Sequence, residues 1–357
     1  MTKRFDKFDV SVIVCTYNRC DILPDALESI LAQETGGVQY EVVVVDNNST
    51  DKTRQVIESF IERGQGNIRY VFEGKQGLSH ARNAGIMTAR APIVALTDDD
   101  LRVAPDWVAQ IKRAFDEHPD VSIVGSRVVP QWKTEPPAWL TTANWSPLAL
   151  YDKPNSYYTN ADNAQCLIGI SLRRDVFEKI GYFSPELLKI GASSSEDHEL
   201  QMRLWRAGYK GLYEPKITVF ADVQAERMSK AYHRLWHTGH GKSMAIMGLH
   251  EAIDENGRLV EKIPNVITLF GVPAFIYREL FKVTGQWATA LARRQADESF
   301  RHENQLRYYA NYIRKRFQQN AGMREHSPLK EIGSFIKTLA RKKLSLPDNK
   351  DIVTRKD

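Results

Sequence analysis

The sequence predicts an α/β fold: a doubly wound, mostly parallel, Rossmann-like sheet with a helical C-terminal extension. Three observations carry this. Short runs rich in Val and Ile recur through the first hundred residues. Segments with apolar residues at helical spacing separate them. Three of the four runs end abruptly in polar or acidic residues. Strands that are near-continuous in Val and Ile, alternating with helices, form parallel sheets covered on both faces.

The strands are expected at Val10–Cys15, Glu41–Val45, Ile68–Phe72 and Ile93–Leu96. Helices are expected at Leu23–Gln33, Lys52–Arg63 and Leu78–Ala89. Ligands of such sheets bind beyond the carboxyl ends of the strands. The residues just past each strand therefore matter. The first strand leads into Thr16, Tyr17, Asn18 and Arg19, and the second into Asp46-Asn47-Asn48-Ser49-Thr50-Asp51. The fourth runs into Asp98-Asp99-Asp100. Two carboxylates about 4 Å apart repel by roughly 4 kcal/mol near a protein surface. A divalent cation with oxygen ligands relieves that repulsion. A solvated turn, or a cap for the helix after Pro105, is the plain alternative. Convergence of three polar strand ends on one rim favours a site.

The second third is less regular. Trp132, Pro136, Pro137, Trp139, Trp145 and Pro147 lie in a stretch too rich in proline for a long helix. Such a loop either shapes a pocket or packs its aromatics. A helix is expected at Arg174–Ile180, then a small-residue loop from Gly191 to Ser195. That loop leads into Glu196-Asp197 and the helix His198–Ala207. Acids at a helix start are either functional groups or caps. From about Tyr232 the chain reads as helical, with Leu306, Tyr309, Ile313 and Phe317 on one face. The expected division is residues 1–250 as the α/β domain and 251–357 as a helical, basic region.

Bulk properties narrow the class. A hydrophobic content of 42% supports a normal folded core, and a net charge of +5 over 357 residues does not argue for nucleic acid. The basic clusters Arg293-Arg294, Arg314-Lys315-Arg316 and Arg341-Lys342-Lys343 suit either a solvated helix face or contact with an anionic lipid or partner. Three cysteines, Cys15, Cys20 and Cys166, are odd in number and lack metal-ligand spacing, so a reduced, cytoplasmic compartment is expected. The first residues lead into no apolar run of signal type. The nearest approach to a spanning segment, Ile263 to Tyr277, is short and holds Pro264 and Pro273. Its continuation suits an interfacial helix or core packing, which leaves open a site at the inner face of the membrane. Neither a phosphate loop of Walker type nor a dinucleotide fingerprint occurs.

Five stretches in order carry a resemblance: "SVIVCTYNR", "VVVVDNNSTD", "GLSHARNAGI", "TDDDLRVAPDW" and "SSSEDHELQMRLWRAGY". Together they resemble the inverting family 2 glycosyltransferases of GT-A fold, over about residues 9 to 245. The resemblance implies a nucleotide-sugar donor, with a UDP-sugar favoured, and Mg²⁺ or Mn²⁺ as cofactor. It implies a hydroxyl acceptor on a glycan or lipid-linked molecule in bacterial polysaccharide synthesis. Asp98 and Asp100 fall on the metal-binding D-x-D positions, and Asp98 and Asp99 are also candidates to hold ribose or metal-bound water. Thr16, Tyr17 and Asp46 fall around the base and ribose. Asp197 falls on the catalytic base. Glu196 beside it either orients the acceptor or caps the helix. Arg82 is either a diphosphate cation or a surface residue.

The departures from the family are specific. Arg203 comes two residues after Gln201, out of register with the QxxRW pattern of processive synthases. Asp222 stands about where a further metal-ligating His is common, and is either a ligand or a surface Asp. His237 and His240 are either structural or able to reach the diphosphate. Two other classes fit less well. A sugar nucleotidyltransferase would carry a Gly-rich basic loop after the first strand, where this chain has Thr16 to Cys20. A non-catalytic scaffold would have lost Asp100 or Asp197, and both are present.

Overall fold

Burial of Val and Ile from both sides sets the architecture. The computed structural model of the chain describes residues 8–64, 66–186, 195–254, 256–261 and 267–321, and residue 337. Strands β1 (Val10–Thr16), β2 (Tyr40–Asp46), β3 (Ile68–Phe72) and β4 (Ile93–Asp98) pair in parallel in the order β3-β2-β1-β4. Along β1, Val10, Val12 and Val14 face one helix layer while Ile13 and Cys15 face the other. The first layer is α1 (Leu23–Leu31), α2 (Thr53–Glu62) and α4 (Trp107–Glu117), which contribute Leu27, Phe60, Trp107 and Phe115. The second is α3 (Leu78–Thr88), α5 (Val176–Ile180) and α6 (Glu196–Arg206), with Ala81, Phe177, Leu204 and Trp205. Both faces of the sheet are covered, which is why the strands read as unbroken apolar runs.

Beyond β4 the sheet becomes mixed. The strands are β5 (Leu101–Val103), β6 (Val121–Trp132), β7 (Tyr157–Thr159), β8 (Ser171–Arg173) and β9 (Lys210–Val223). Strand β8 inserts antiparallel between β4 and β6, and β6 pairs in parallel with β9. Short β5 and β7 both lie antiparallel on β9. The pairing of β5 with β9 brings Asp222 beside Asp100, whose backbone groups lie 3.5 Å apart.

The helical region is α7 (Lys230–Met247), α8 (Leu249–Ala252), α9 (Ala274–Ala292) and α10 (Ala296–Ala321), with a small hairpin of β10 (Thr268–Leu269) and β11 (Val272–Pro273). Its core of Met244, Ala245, Leu249, Val272, Ile276 and Tyr312 also takes in Met202 of α6. Helices α7 and α10 cross so closely at Gly241 that a Cβ there would lie 2.2 Å from the Tyr308 carbonyl oxygen. The stripe expected on α10 is not its most buried face: Phe317 is 42% exposed, whereas Phe300, His302, Asn304 and Tyr312 are buried. The helix is gripped on two flanks, by α7 and by α9, so no single 3.6-residue stripe describes its contacts. Arg341, Lys342 and Lys343 lie outside the described residues, as do Ile263 and Pro264. Among the described residues no helix is long and apolar enough to cross a membrane.

Candidate active site

A cavity of about 870 Å³ opens at the carboxyl ends of β1 and β4. Thr16, Tyr17, Asp98, Asp99 and Asp100 line it from the sheet. Arg82, Asp197, Asp222 and Arg227 line it from the surrounding elements. The strand ends therefore do converge, as parallel topology requires.

The three aspartates differ in their surroundings. The Asp98 side chain is 49% exposed. Asp99 is buried, and burial, with the charges of Asp100 and Asp98 added, pushes its carboxyl up to about 6. Asp100 is shifted the same way by burial and by Asp98. Two guanidinium groups offset this. Arg19 Nη1 lies 3.2 Å from Asp100 Oδ2 and 3.5 Å from Asp99 Oδ1, and Arg227 Nη1 lies 3.8 Å from Asp100 Oδ2. Sequence reasoning places Arg19 just past the first strand without giving it a role, and misses Arg227, which lies in the short 3-10 helix Ala225–Met228.

Neighbouring carboxylates on one strand end, one half-exposed and one raised by burial and by the charge of the other, form an oxygen donor set that a divalent cation fits. Asp98 and Asp100 meet that test. Asp222 does so less well, because its carboxylate is bound by Arg102 and by Lys133 Nζ at 3.1 Å. Among the described residues no three His, Cys, Asp or Glu side chains form a ready metal cage.

Asp46 lies beneath the rim rather than on it. It is 2% exposed; Oδ1 accepts from the Ser49 N–H at 2.9 Å and Oδ2 from the Tyr70 hydroxyl at 3.0 Å. Its neighbour Asn47 lines the cavity and staples a loop, donating to the carbonyls of Glu73 and Lys75 and accepting from the Gly77 N–H at 2.7 Å. Asn18 and Asn48 take the left-handed conformation, which Asn tolerates. Asn18 Oδ1 accepts from the Thr50 N–H at 2.7 Å and so ties the first two strand-end turns together.

Arg82 reaches the site from α3. That helix packs on β1 at Gly85, where a Cβ would lie 2.4 Å from Ile13 Cγ2, so only glycine permits the approach. The Arg82 guanidinium is almost fully buried, with Nη1 2.7 Å from Asp197 Oδ1, Nη2 3.6 Å from Asp98 Oδ1, and Glu196 Oε1 at 3.8 Å. It is a buried hub of three carboxylates and not a surface residue. Their charges outweigh the penalty of burial and hold it firmly protonated.

Asp197 and Glu196 open α6, and their roles divide as neighbours on a helix must. Asp197 faces the cavity. Glu196 turns inward: its Oε2 is buried without a hydrogen-bond partner among the described residues, and burial together with the Asp197 charge raises its carboxyl to about 7. Gly191 to Ser194 of the preceding loop lie outside the described residues. Gln201, fully buried, clamps Leu167 with bonds of 2.7 and 2.9 Å to its N–H and carbonyl. Arg203 instead binds Glu199 and the carbonyls of Ile180 and Tyr182. This accounts for the displaced Gln and Arg spacing: both are structural struts. His237 and His240 do not line the cavity. His240 stacks on Trp236 with ring centroids 4.4 Å apart.

The model of the glycosyl transferase family 2 matches residues 11–181. The chain carries a family 2 glycosyltransferase domain. The matched span holds the strand-end aspartates and Arg82 and stops short of Glu196 and Asp197. The chain is 28% identical over 205 residues to a glucosyl-dolichyl phosphate glucuronosyltransferase of Haloferax volcanii, covering 53% of this chain and 60% of that protein. It is 40% identical over 108 residues to the succinoglycan biosynthesis protein ExoO of Rhizobium meliloti, 30% of each chain. These matches thus span less than two thirds of either relative. In fold, the chain resembles the mannosyltransferase PcManGT of Pyrobaculum calidifontis, solved with GDP-Man and Mn²⁺. That likeness has a TM-score of 0.56 at 19% identity over 89% of this chain and 91% of that one. It also resembles S. aureus TarS 1-349 solved with UDP-GlcNAc, with a TM-score of 0.50 at 18% identity over 88% and 92%.

Proposed function

We propose that the chain transfers a sugar from a nucleotide-sugar donor to a hydroxyl of a glycan or lipid-linked acceptor, with inversion at the anomeric carbon. One observation carries this reading. Asp197 and Asp98 lie within reach of the two nitrogens of a single guanidinium, at 2.7 and 3.6 Å. A proton acceptor and a diphosphate-binding end therefore flank one narrow gap, as a single displacement requires. The acceptor hydroxyl loses its proton to Asp197 as its oxygen bonds to the anomeric carbon. On the opposite face the bond to the diphosphate oxygen breaks, and that oxygen keeps the electron pair.

Asp98 and Asp100 would hold Mg²⁺ or Mn²⁺, which when bound supplies Lewis-acid stabilisation of the leaving diphosphate. Thr16 and Tyr17 line the same cavity and would bind the base and ribose. Asp46 would act from beneath them, by fixing the Ser49 turn. Asp99 would hold ribose once Arg19 shifts. Glu196, buried and holding its proton near neutrality, would position the start of α6 and with it the acceptor. Asp222 would serve the cation only on release from Arg102 and Lys133. A UDP-sugar is the first donor to test and a GDP-sugar the second, since structures of the same fold were solved with both nucleotide types. The exposed Phe281 between Arg278 and Lys282 on α9 would suit contact with the surface that carries a lipid-linked acceptor.

The test is a screen of UDP- and GDP-sugars for nucleoside diphosphate release, with Mn²⁺ or EDTA, with and without bacterial glycan acceptors. Release confined to particular sugars and to the cation-containing arm is expected. Silence toward every donor, with acceptors present, would overturn the reading.

A further inference from the structure

Arg82 has more to do than bind a phosphate. Its Nη1 donates to Asp197 Oδ1 at 2.7 Å, which is the only strong ion pair that the described structure gives this carboxylate. While that bond stands, the oxygen facing Arg82 is not open to an incoming hydroxyl. The other contacts of the guanidinium are longer, 3.6 Å to Asp98 and 3.8 Å to Glu196. Beneath it lies the Phe183 ring, 5.3 Å away, a face that favours a cation without fixing its direction in the plane. The group is thus held strongly at one point and can pivot about the rest. The cavity it lines is the one in which a diphosphate would lie against Asp98. A diphosphate offers a guanidinium more charge and a paired set of acceptor oxygens, and arginine binds such groups through two parallel bonds.

We propose that Arg82 masks Asp197 in the empty site and passes to the donor diphosphate on binding, so that Asp197 is released only beneath a loaded donor. This rests on the donor-site reading above and adds an order to it: donor first, acceptor second. A single cation then serves the Asp197 carboxylate and the donor diphosphate in turn. Binding of diphosphate and the availability of Asp197 become two readings of one side chain.

The consequence is measurable without an acceptor. Diphosphate must compete with Asp197 for Arg82, so Asp197→Asn tightens binding of UDP or GDP. Calorimetry with Mn²⁺ present compares wild type, Asp197→Asn, Arg82→Met and the double variant, with uridine and guanosine as probes lacking phosphate. Asp197→Asn is expected to tighten nucleoside diphosphate binding by at least about twofold, the lower end of coupling between groups in contact. Nucleoside binding stays unchanged, and the gain disappears in the Arg82→Met background. Arg82→Lys serves where Arg82→Met does not fold; its single ammonium lacks the paired donors of a guanidinium and binds each partner more weakly, so the gain shrinks there. Equal diphosphate affinity in wild type and Asp197→Asn overturns the proposal, as does a gain that persists without Arg82. Failure of wild type to bind either diphosphate is a different result. It removes the donor-site reading, and the proposal with it.

Discussion

At the scale of single residues, the site is a balance of charge between carboxylates and guanidiniums. Asp98, Asp99 and Asp100 face Arg19, Arg227 and Arg82, and the balance leaves Asp99 and Asp100 shifted upward by burial and mutual repulsion. Removing one of these charges relieves strain at a strand end. Asp100→Ala is therefore expected to fold, with a melting temperature at or above wild type, yet to lose Mn²⁺-dependent binding of UDP and GDP. Calorimetry checks the binding, and unchanged affinity with Mn²⁺ would remove Asp100 from the site.

Glu196 gives a pH test. Its folded-state carboxyl is raised to about 7 by burial and by Asp197, against an ordinary value of 4.5. The folded state therefore holds a proton that the unfolded state releases, and stability falls as pH rises from about 4.5 to 7. Glu196→Gln removes this loss, so it should raise the melting temperature more at pH 8 than at pH 5. An equal change at both would contradict the assignment.

At the scale of elements, the positions of helices are fixed by close approaches and struts. Gly85 sets α3 against β1 and so aims Arg82, while Gly241 sets α7 against α10. Gly241→Ala would force a Cβ against backbone rather than a movable side chain. Such overpacking costs about 1–3 kcal/mol, read as a lowered melting temperature. The first four strands and their helices were legible in the sequence because a doubly covered strand cannot hide its Val and Ile. Strand β8 was not, since Ser171–Arg173 is too short to show a period. The convergence of Thr16, Asp98 and Asp197 was legible from strand-end logic and motif order. The positions of Asp46 and Glu196 below the surface were not, because a motif does not say which way a side chain turns. The roles of Arg19 and Arg227 as partners of these aspartates lay beyond reach for a related reason. Their partners come from elements distant in sequence. Chain contact with lipid is an element-scale matter as well. Vesicles of anionic lipid should retain the wild-type chain more than Phe281→Glu, and equal retention would argue that α9 meets no membrane.

At the scale of the whole molecule, the helical region is built onto the helix that carries Asp197. Met202 of α6 lies in its core, and His198 of α6 lies near His240 of α7. Burial lowers His198, His233, His237, His240 and His250 to about 4. These imidazoles are neutral in the folded state, whereas the unfolded chain protonates them near 6.5. Above pH 6.5 neither state is protonated and the effect vanishes. As pH falls from 6.5 to about 4 the unfolded state binds more protons, and stability falls with it. Tryptophan fluorescence should therefore show acid unfolding in that window, shifted to lower pH by His240→Gln. A midpoint insensitive to that change would free His240 of this role.

The proposed chemistry turns on Asp197, at the head of α6, taking the proton of the acceptor hydroxyl. Asp197→Asn keeps the size of the side chain and a hydrogen-bonding group but cannot accept a proton at neutral pH. The measurement is turnover at saturating nucleotide sugar and acceptor, where differences in donor affinity drop out. A fall of about 10²- to 10⁴-fold is expected, the usual worth of a positioned general base. Turnover close to wild type would contradict the assignment of Asp197 as the base.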